Sequence, residues 1–181
     1  MKNNLLNYLT EKEFYYVKNE KNLYKKSYCL ANILFKRIED KSGLPYMGHL
    51  IRVSCDMSTF EGKVAGLLHD VVEDIEGVTF DDLIDIGIPL NIIEALKLVT
   101  KEPNDIKLSK SEKLTLYNYE IDNIIKSNNK LAIELKYSDM KDNFNLDRLK
   151  MLDKEKIHWF KLKYGENIKK LEKVRDSYDR Y

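Results

Sequence analysis

The stretch GLLHDVVED, residues 66–74, sets a histidine and three carboxylates inside a run with the apolar spacing of a buried helix. At about 100° per residue, His69, Asp70, Glu73 and Asp74 fall on one face and Val64, Leu68, Val71 and Val72 on the other. The spacing predicts one amphipathic helix over 60–74. Gly66 falls in the middle of the polar face. There it removes a side chain where something else has to approach, at a cost of ~1 kcal/mol relative to alanine. A solvated face is the commonest account of such a pattern. However, residues 67–76 hold four acids, one histidine and no lysine or arginine, whereas a solvated face ordinarily mixes signs. Like charges one turn apart also weaken a helix. On this stretch alone, a metal-binding face and a solvated face are equally good readings.

Two neighbouring stretches extend the pattern. In LAIELKYSDMKDNF (131–144), Ile133, Tyr137, Met140 and Phe144 form an apolar stripe at helical spacing, while Ala132, Lys136, Asp139 and Asn143 form a second stripe. A carboxylate, an amide and an ammonium therefore project together. PYMGHLIRV (45–53) carries His49 beside Leu50, Ile51 and Val53, so its imidazole is expected to be at least partly buried. A lone histidine there is more often a core residue than a ligand. Taken together, two imidazoles and two carboxylates make a mixed nitrogen and oxygen site suited to Mn²⁺, Fe²⁺ or Zn²⁺ with open positions. His158, in KIHWFKLKY, is assigned to packing or the surface.

The rest of the chain is consistent with one all-α domain over residues 1–181. It has 7 glycines and 3 prolines in 181 residues, and apolar residues recur at three- and four-residue steps. Helices are expected over 9–38 with a break near Asn19 to Asn22, then 46–57, 60–74, 79–86, 89–100, 110–127, 129–144 and 153–177. KSGLP (41–45) is a turn, Thr79 is an N-cap, Pro89 suits a first helical position, and SNN (127–129) connects two helices. Cys29 and Cys55 lack CxxC spacing and read as reduced core side chains. With 31 basic and 30 acidic residues, no global field argues for nucleic acid or an anionic membrane. The start has no apolar leader run, and no window approaches the ~20 apolar residues of a membrane span. A cytoplasmic protein is expected, with oligomeric state left open.

The order H…HD…D, as His49, His69–Asp70 and Asp139, resembles the HD superfamily of metal-dependent phosphohydrolases. PYMGHLIRV, LLHDVVED and KYSDMKDN are similar to the hydrolase domain of RelA/SpoT-type proteins and their small single-domain relatives. Those proteins remove the 3′-pyrophosphate from guanosine tetra- or pentaphosphate. The similarity spans roughly 28–150, and residues 151–181 read as basic amphipathic helices closing an HD-domain bundle. The resemblance implies that His49, His69, Asp70 and Asp139 hold one divalent metal, typically Mn²⁺. It implies that Glu73 and Asp74 act as an acid and base pair, and that a phosphorylated nucleotide is the small-molecule partner. Lys41, Arg52, Lys136 and Asn143 lie on the motif segments as candidates for phosphate or ribose binding.

The chain departs from the family in one stretch. The family's HxGQxRKSGxPY is here FKRIEDKSGLPY, with Phe35, Arg37 and Ile38 replacing the histidine, glycine and glutamine, and Asp40 at the arginine position. An aspartate accepts hydrogen bonds from guanine but cannot stack as a guanidinium does. The leading expectation is a guanosine-3′,5′-bis(diphosphate) 3′-pyrophosphohydrolase. A nucleoside monophosphate phosphatase of the HD type and a non-catalytic nucleotide-binding module are the alternatives.

Overall fold

The computed structural model describes residues 3–40, 42–101, 107–145 and 152–178. The chain divides into two compact units, Met1–Glu102 and Pro103–Tyr181. Among the described residues the regular elements are helical, apart from an isolated antiparallel bridge between Glu39 and Pro45. This is the all-α class that the three- and four-residue spacing implies.

The first unit begins with a short 3-10 turn, followed by α1 (Glu11–Asn19), α2 (Leu23–Leu34), α3 (Met47–Asp56), α4 (Phe60–Leu68), α5 (Val71–Asp74), α6 (Phe80–Asp85) and α7 (Leu90–Val99). The break expected near Asn19 to Asn22 separates α1 from α2, with Asn22 capping α2 through Lys25 N. Thr79 caps α6 in a reciprocal capping box with Asp82. Pro89 sits one residue outside α7, at its N-cap.

Helix α4 is central, packing against α2, α3 and α7. Val64, Ala65, Gly66, Leu67 and Leu68 are all buried, so the C-terminal part of α4 is enclosed on every side rather than amphipathic. A Cβ on Gly66 would lie 2.6 Å from Ser54 Cα and 2.7 Å from Ser54 N. Gly66 is therefore glycine because the backbone of α3 lies against it. At the same crossing, Ser54 Oγ donates to Lys63 O at 2.7 Å.

The single helix expected over 60–74 is not formed, because it breaks at His69–Asp70 into α4 and α5. In an unbroken helix the Asp70 N–H would donate to Gly66 O. The His69 ring competes for that acceptor, with Nδ1 at 2.9 Å from Gly66 O. Asp70 takes φ −100° and ψ 0°, the bridge region between helix and strand conformations. Helical bonding resumes with Asp74 N donating to Asp70 O at 2.8 Å. Two further expectations are corrected. Residues after Leu34 leave the helix, since Phe35 is already the C-cap of α2. Cys55 is exposed rather than in the core, and Cys29 is partly exposed.

Among the described residues the second unit holds α8 (Lys110–Lys126), α9 (Lys130–Asn143) and α10 (Lys154–Tyr178), each packed against the other two. Asn128, in the SNN connection, has φ 53°, a left-handed turn position that asparagine tolerates. Ile133, Tyr137 and Met140 are buried as their stripe implies. The C-terminal residues form one continuous helix, α10, and His158 on it is exposed.

Substituting Gly66→Ala is expected to destabilise the chain by about 1–3 kcal/mol in urea unfolding, because the obstructing atoms are backbone. Gly165, inside α10 with nothing within 4 Å of an added Cβ, is the control. Gly165→Ala is expected to leave stability unchanged or raise it by up to ~1 kcal/mol. Equal effects of the two substitutions would contradict the packing account.

Candidate metal centre

Helix α3 and the end of α4 bring His49 to His69. Both imidazoles are 3% exposed, and their Nε2 atoms are 3.3 Å apart. Asp70 Oδ2 lies 3.0 Å from His69 Nε2 and 3.6 Å from His49 Nε2. One ligand atom from each of the three residues lies within 4.8 Å of the other two.

The chemistry of this set fits a divalent cation. Gly66 O can only accept, so His69 Nδ1 carries a proton, and in the neutral ring Nε2 then presents its lone pair inward. That lone pair meets a second imidazole nitrogen and a carboxylate oxygen. When neither imidazole carries a proton on Nε2, the three atoms that converge in this buried place are all acceptors and repel one another unless a cation lies among them. A nitrogen and oxygen donor set suits a borderline divalent metal, and the Nδ1 to carbonyl bond is the usual outer support of a metal-binding histidine.

Glu73 and Asp74 follow on α5. Glu73 is held twice by one residue, accepting from Lys101 Nζ at 2.8 Å and Lys101 N at 3.1 Å. The Asp74 carboxyl is pushed above its ordinary value, first by loss of water around the charged form and next by Asp70, with Glu73 adding to the effect. The nearby Tyr46 hydroxyl and His69 oppose that rise without cancelling it.

The remaining candidates are distributed as follows. Asp139, Lys136 and Asn143 lie in the second unit, on α9, where they bond to one another. Asp139 Oδ2 accepts from Lys136 Nζ at 2.9 Å and Oδ1 from Asn143 Nδ2 at 2.5 Å. Asp139 and Lys136 are both buried. Arg52 is exposed on α3, with a guanidinium nitrogen 3.2 Å from where a Gly48 Cβ would stand. Lys41 lies outside the described residues. Asp40 Oδ1 accepts from Ser42 N at 2.7 Å and Leu44 N at 3.2 Å. That oxygen therefore organises the turn before Pro45.

Two residues of this neighbourhood were missed by the sequence reading. Tyr46 donates from Oη to Asp70 Oδ2 at 2.6 Å and stands edge-on to His49, with ring centroids 5.5 Å apart. Its position three residues before His49, one helical turn away, was the available signal. Lys101 is separated from Glu73 by 28 residues, so no local spacing pointed to it.

No protein-family model and no curated protein matches the chain. Among solved structures, it matches one described as a metazoan ortholog of SpoT that hydrolyses ppGpp and plays a role in starvation responses. The match covers 87% of this chain and 96% of the other, with a TM-score of 0.62 and 23% identity. The chain thus has the all-α, HD/SpoT-like fold that its motif order resembles. Among the described residues no helix is long and apolar enough to cross a membrane.

The raised Asp74 pKa has a sign that can be measured in metal-free protein. Below the ordinary carboxylate value of ~3.9, folded and unfolded chains are both protonated and Asp74 costs nothing. As pH rises toward the raised folded value, the unfolded chain loses its proton first and the folded state is disfavoured. Asp74→Asn in the presence of a chelator is therefore expected to gain thermal stability over wild type as pH increases, with the difference levelling once pH passes the raised folded value. A variant less stable than wild type at pH 7 would contradict this assignment.

Proposed function

We propose that the protein is a metal-dependent phosphohydrolase acting on a phosphorylated nucleotide, with guanosine 3′,5′-bis(diphosphate) as the leading substrate. The observation that carries this reading is the convergence of His49 Nε2, His69 Nε2 and Asp70 Oδ2 on one buried point, with two further carboxylates on the next turn. The order of motifs in the sequence supports it. Asp139 is proposed as the fourth ligand on the strength of that order, and Mn²⁺ as the ion. A divalent ion held by these residues supplies Lewis acidity and neutralises phosphoryl charge.

In this reading the chain's own residues handle protons and orientation. Asp74, whose raised pKa brings it closer to neutral pH, accepts a proton from the attacking water. The water oxygen bonds to the phosphorus carried on the 3′ oxygen, the P–O3′ bond breaks, and pyrophosphate departs. Asp74 returns its proton to the released 3′ oxygen, which balances the step. Glu73, fixed by Lys101, accepts a hydrogen bond from the water and orients it. Arg52, Lys41, Lys136 and Asn143 are proposed contacts for phosphate or ribose, although Lys136 and Asn143 already bind Asp139.

A nucleoside monophosphate phosphatase is the second reading, and Asp40 favours it. Its Oδ1 accepts two backbone hydrogen bonds and so serves the turn, which weakens the case for guanine recognition at this position.

Phosphate and pyrophosphate release from a nucleotide panel with added Mn²⁺ tests the proposal. Asp70→Ala is expected to lose metal and turnover together, and Asp139→Ala to weaken metal retention. Asp74→Asn is expected to keep the metal while kcat falls about 10²–10⁴-fold. Turnover by Asp70→Ala equal to wild type would overturn the enzymatic reading. Cleavage of monophosphates with guanosine bis-diphosphates untouched would favour the second reading.

A further inference from the structure

We propose that Tyr46 is a positioning residue of the metal centre: held by Phe35, its hydroxyl fixes the Asp70 carboxylate so that Oδ2 faces the two imidazoles. The inference rests on the metal-centre reading above and adds the group that holds one of its ligands in place.

Asp70 needs such a hold. It lies between α4 and α5 with ψ 0°, so no regular helix sets the direction of its side chain. Its carboxylate belongs to the converging set and is 15% exposed. Left to itself, a carboxylate in that position gains by rotating away from two inward-facing imidazole nitrogens and toward water. The Tyr46 hydroxyl opposes this rotation. Its hydrogen bond to Oδ2, at 2.6 Å, has the length of a charge-assisted O–H···O⁻ bond and is roughly twice as strong as a neutral one.

Tyr46 is itself fixed at three points. Its ring stacks on Phe35 with centroids 5.0 Å apart and planes 12° from parallel, and Phe35 is only 1% exposed. Its backbone N–H donates to Ile38 O at 2.9 Å. The ring edge meets His49 at 5.5 Å and 71°. One tyrosine therefore contacts two of the three converging residues from a position immediately before α3. This also gives Phe35 a reason beyond core filling, because it is the floor on which the tyrosine ring rests.

The test is Mn²⁺ binding by the full chain, measured by competition with a chelating dye, for wild type, Tyr46→Phe, Phe35→Leu and Asp70→Ala. Tyr46→Phe keeps the ring and loses only the hydroxyl. Its Kd for Mn²⁺ is expected to rise about 10–100-fold, the usual effect of removing an outer partner of a metal ligand. Its thermal unfolding in chelator should stay within a degree or two of wild type. Phe35→Leu keeps the hydroxyl but loosens the ring, and a smaller rise in Kd is expected.

The Mn²⁺ concentration for half-maximal hydrolysis should rise with Kd in Tyr46→Phe. A Tyr46→Phe protein that binds Mn²⁺ as wild type does, with Asp70→Ala impaired, would overturn the role of Tyr46 and leave the centre standing. If the variant's thermal stability falls while its Kd is unchanged, Tyr46 is a packing residue only and the proposal fails. Wild type that binds Mn²⁺ no better than Asp70→Ala would overturn the metal-centre reading itself.

Discussion

The backbone contact between Gly66 of α4 and Ser54 of α3 is the constraint on which the candidate centre depends. Two helices ordinarily lie 8–10 Å apart, set by the side chains between them. Here one of those side chains is missing, and an added Cβ would stand 2.6 Å from Ser54 Cα. Ser54 meets Lys63 and Gly66, while His49 meets His69, so the two helices run antiparallel. That arrangement carries His49, five residues before Ser54, to the end of α4 where His69 and Asp70 leave the helix. A side chain at position 66 would push apart the two imidazoles as well as the two helices.

The break at His69–Asp70 follows from the same residues. His69 uses Nδ1 to occupy the carbonyl that would have continued α4, and by doing so it turns its Nε2 lone pair inward. The hydrogen bond made where the helix ends thus also bears on which nitrogen of the neutral ring faces His49 and Asp70. Asp70, freed from helical geometry, reaches the same point, and α5 restarts in time to present Glu73 and Asp74 one turn on. Their neighbours then divide them. Glu73 is tied to Lys101, whereas Asp74 is surrounded by protein and by Asp70, so its proton is held more tightly than in an ordinary aspartate.

Much of this was legible in the sequence, for identifiable reasons. Local signals such as Asn22 before α2, Thr79 with Asp82, and the SNN connection act within four residues, and the chain obeys them. The gathering of His49, His69 and Asp70 followed from the motif order, and Gly66 was correctly marked as a place of close approach. The periodicity of 60–74 could not reveal the break, because a single side chain competing for Gly66 O leaves the spacing of apolar residues unchanged. For the same reason the face around Gly66 looked polar on a helical projection when it is buried under α3. Tyr46 and Lys101 act across the fold and leave no trace in short-range spacing. The apolar neighbours Val53 and Met57 are buried, while Cys55 falls with Asp56 on the exposed side of α3, so its apolar surroundings in sequence do not carry it into the core.

The central claim is that two buried imidazoles and the Asp70 carboxylate hold one divalent ion. Pulsed electron paramagnetic resonance of the full chain loaded with one equivalent of Mn²⁺ reads the donor atoms directly. The account predicts nitrogen couplings from two imidazoles, one of them lost in His49→Ala and the other in His69→Ala. A Mn²⁺ signal with oxygen donors alone, unchanged in both variants, would contradict it.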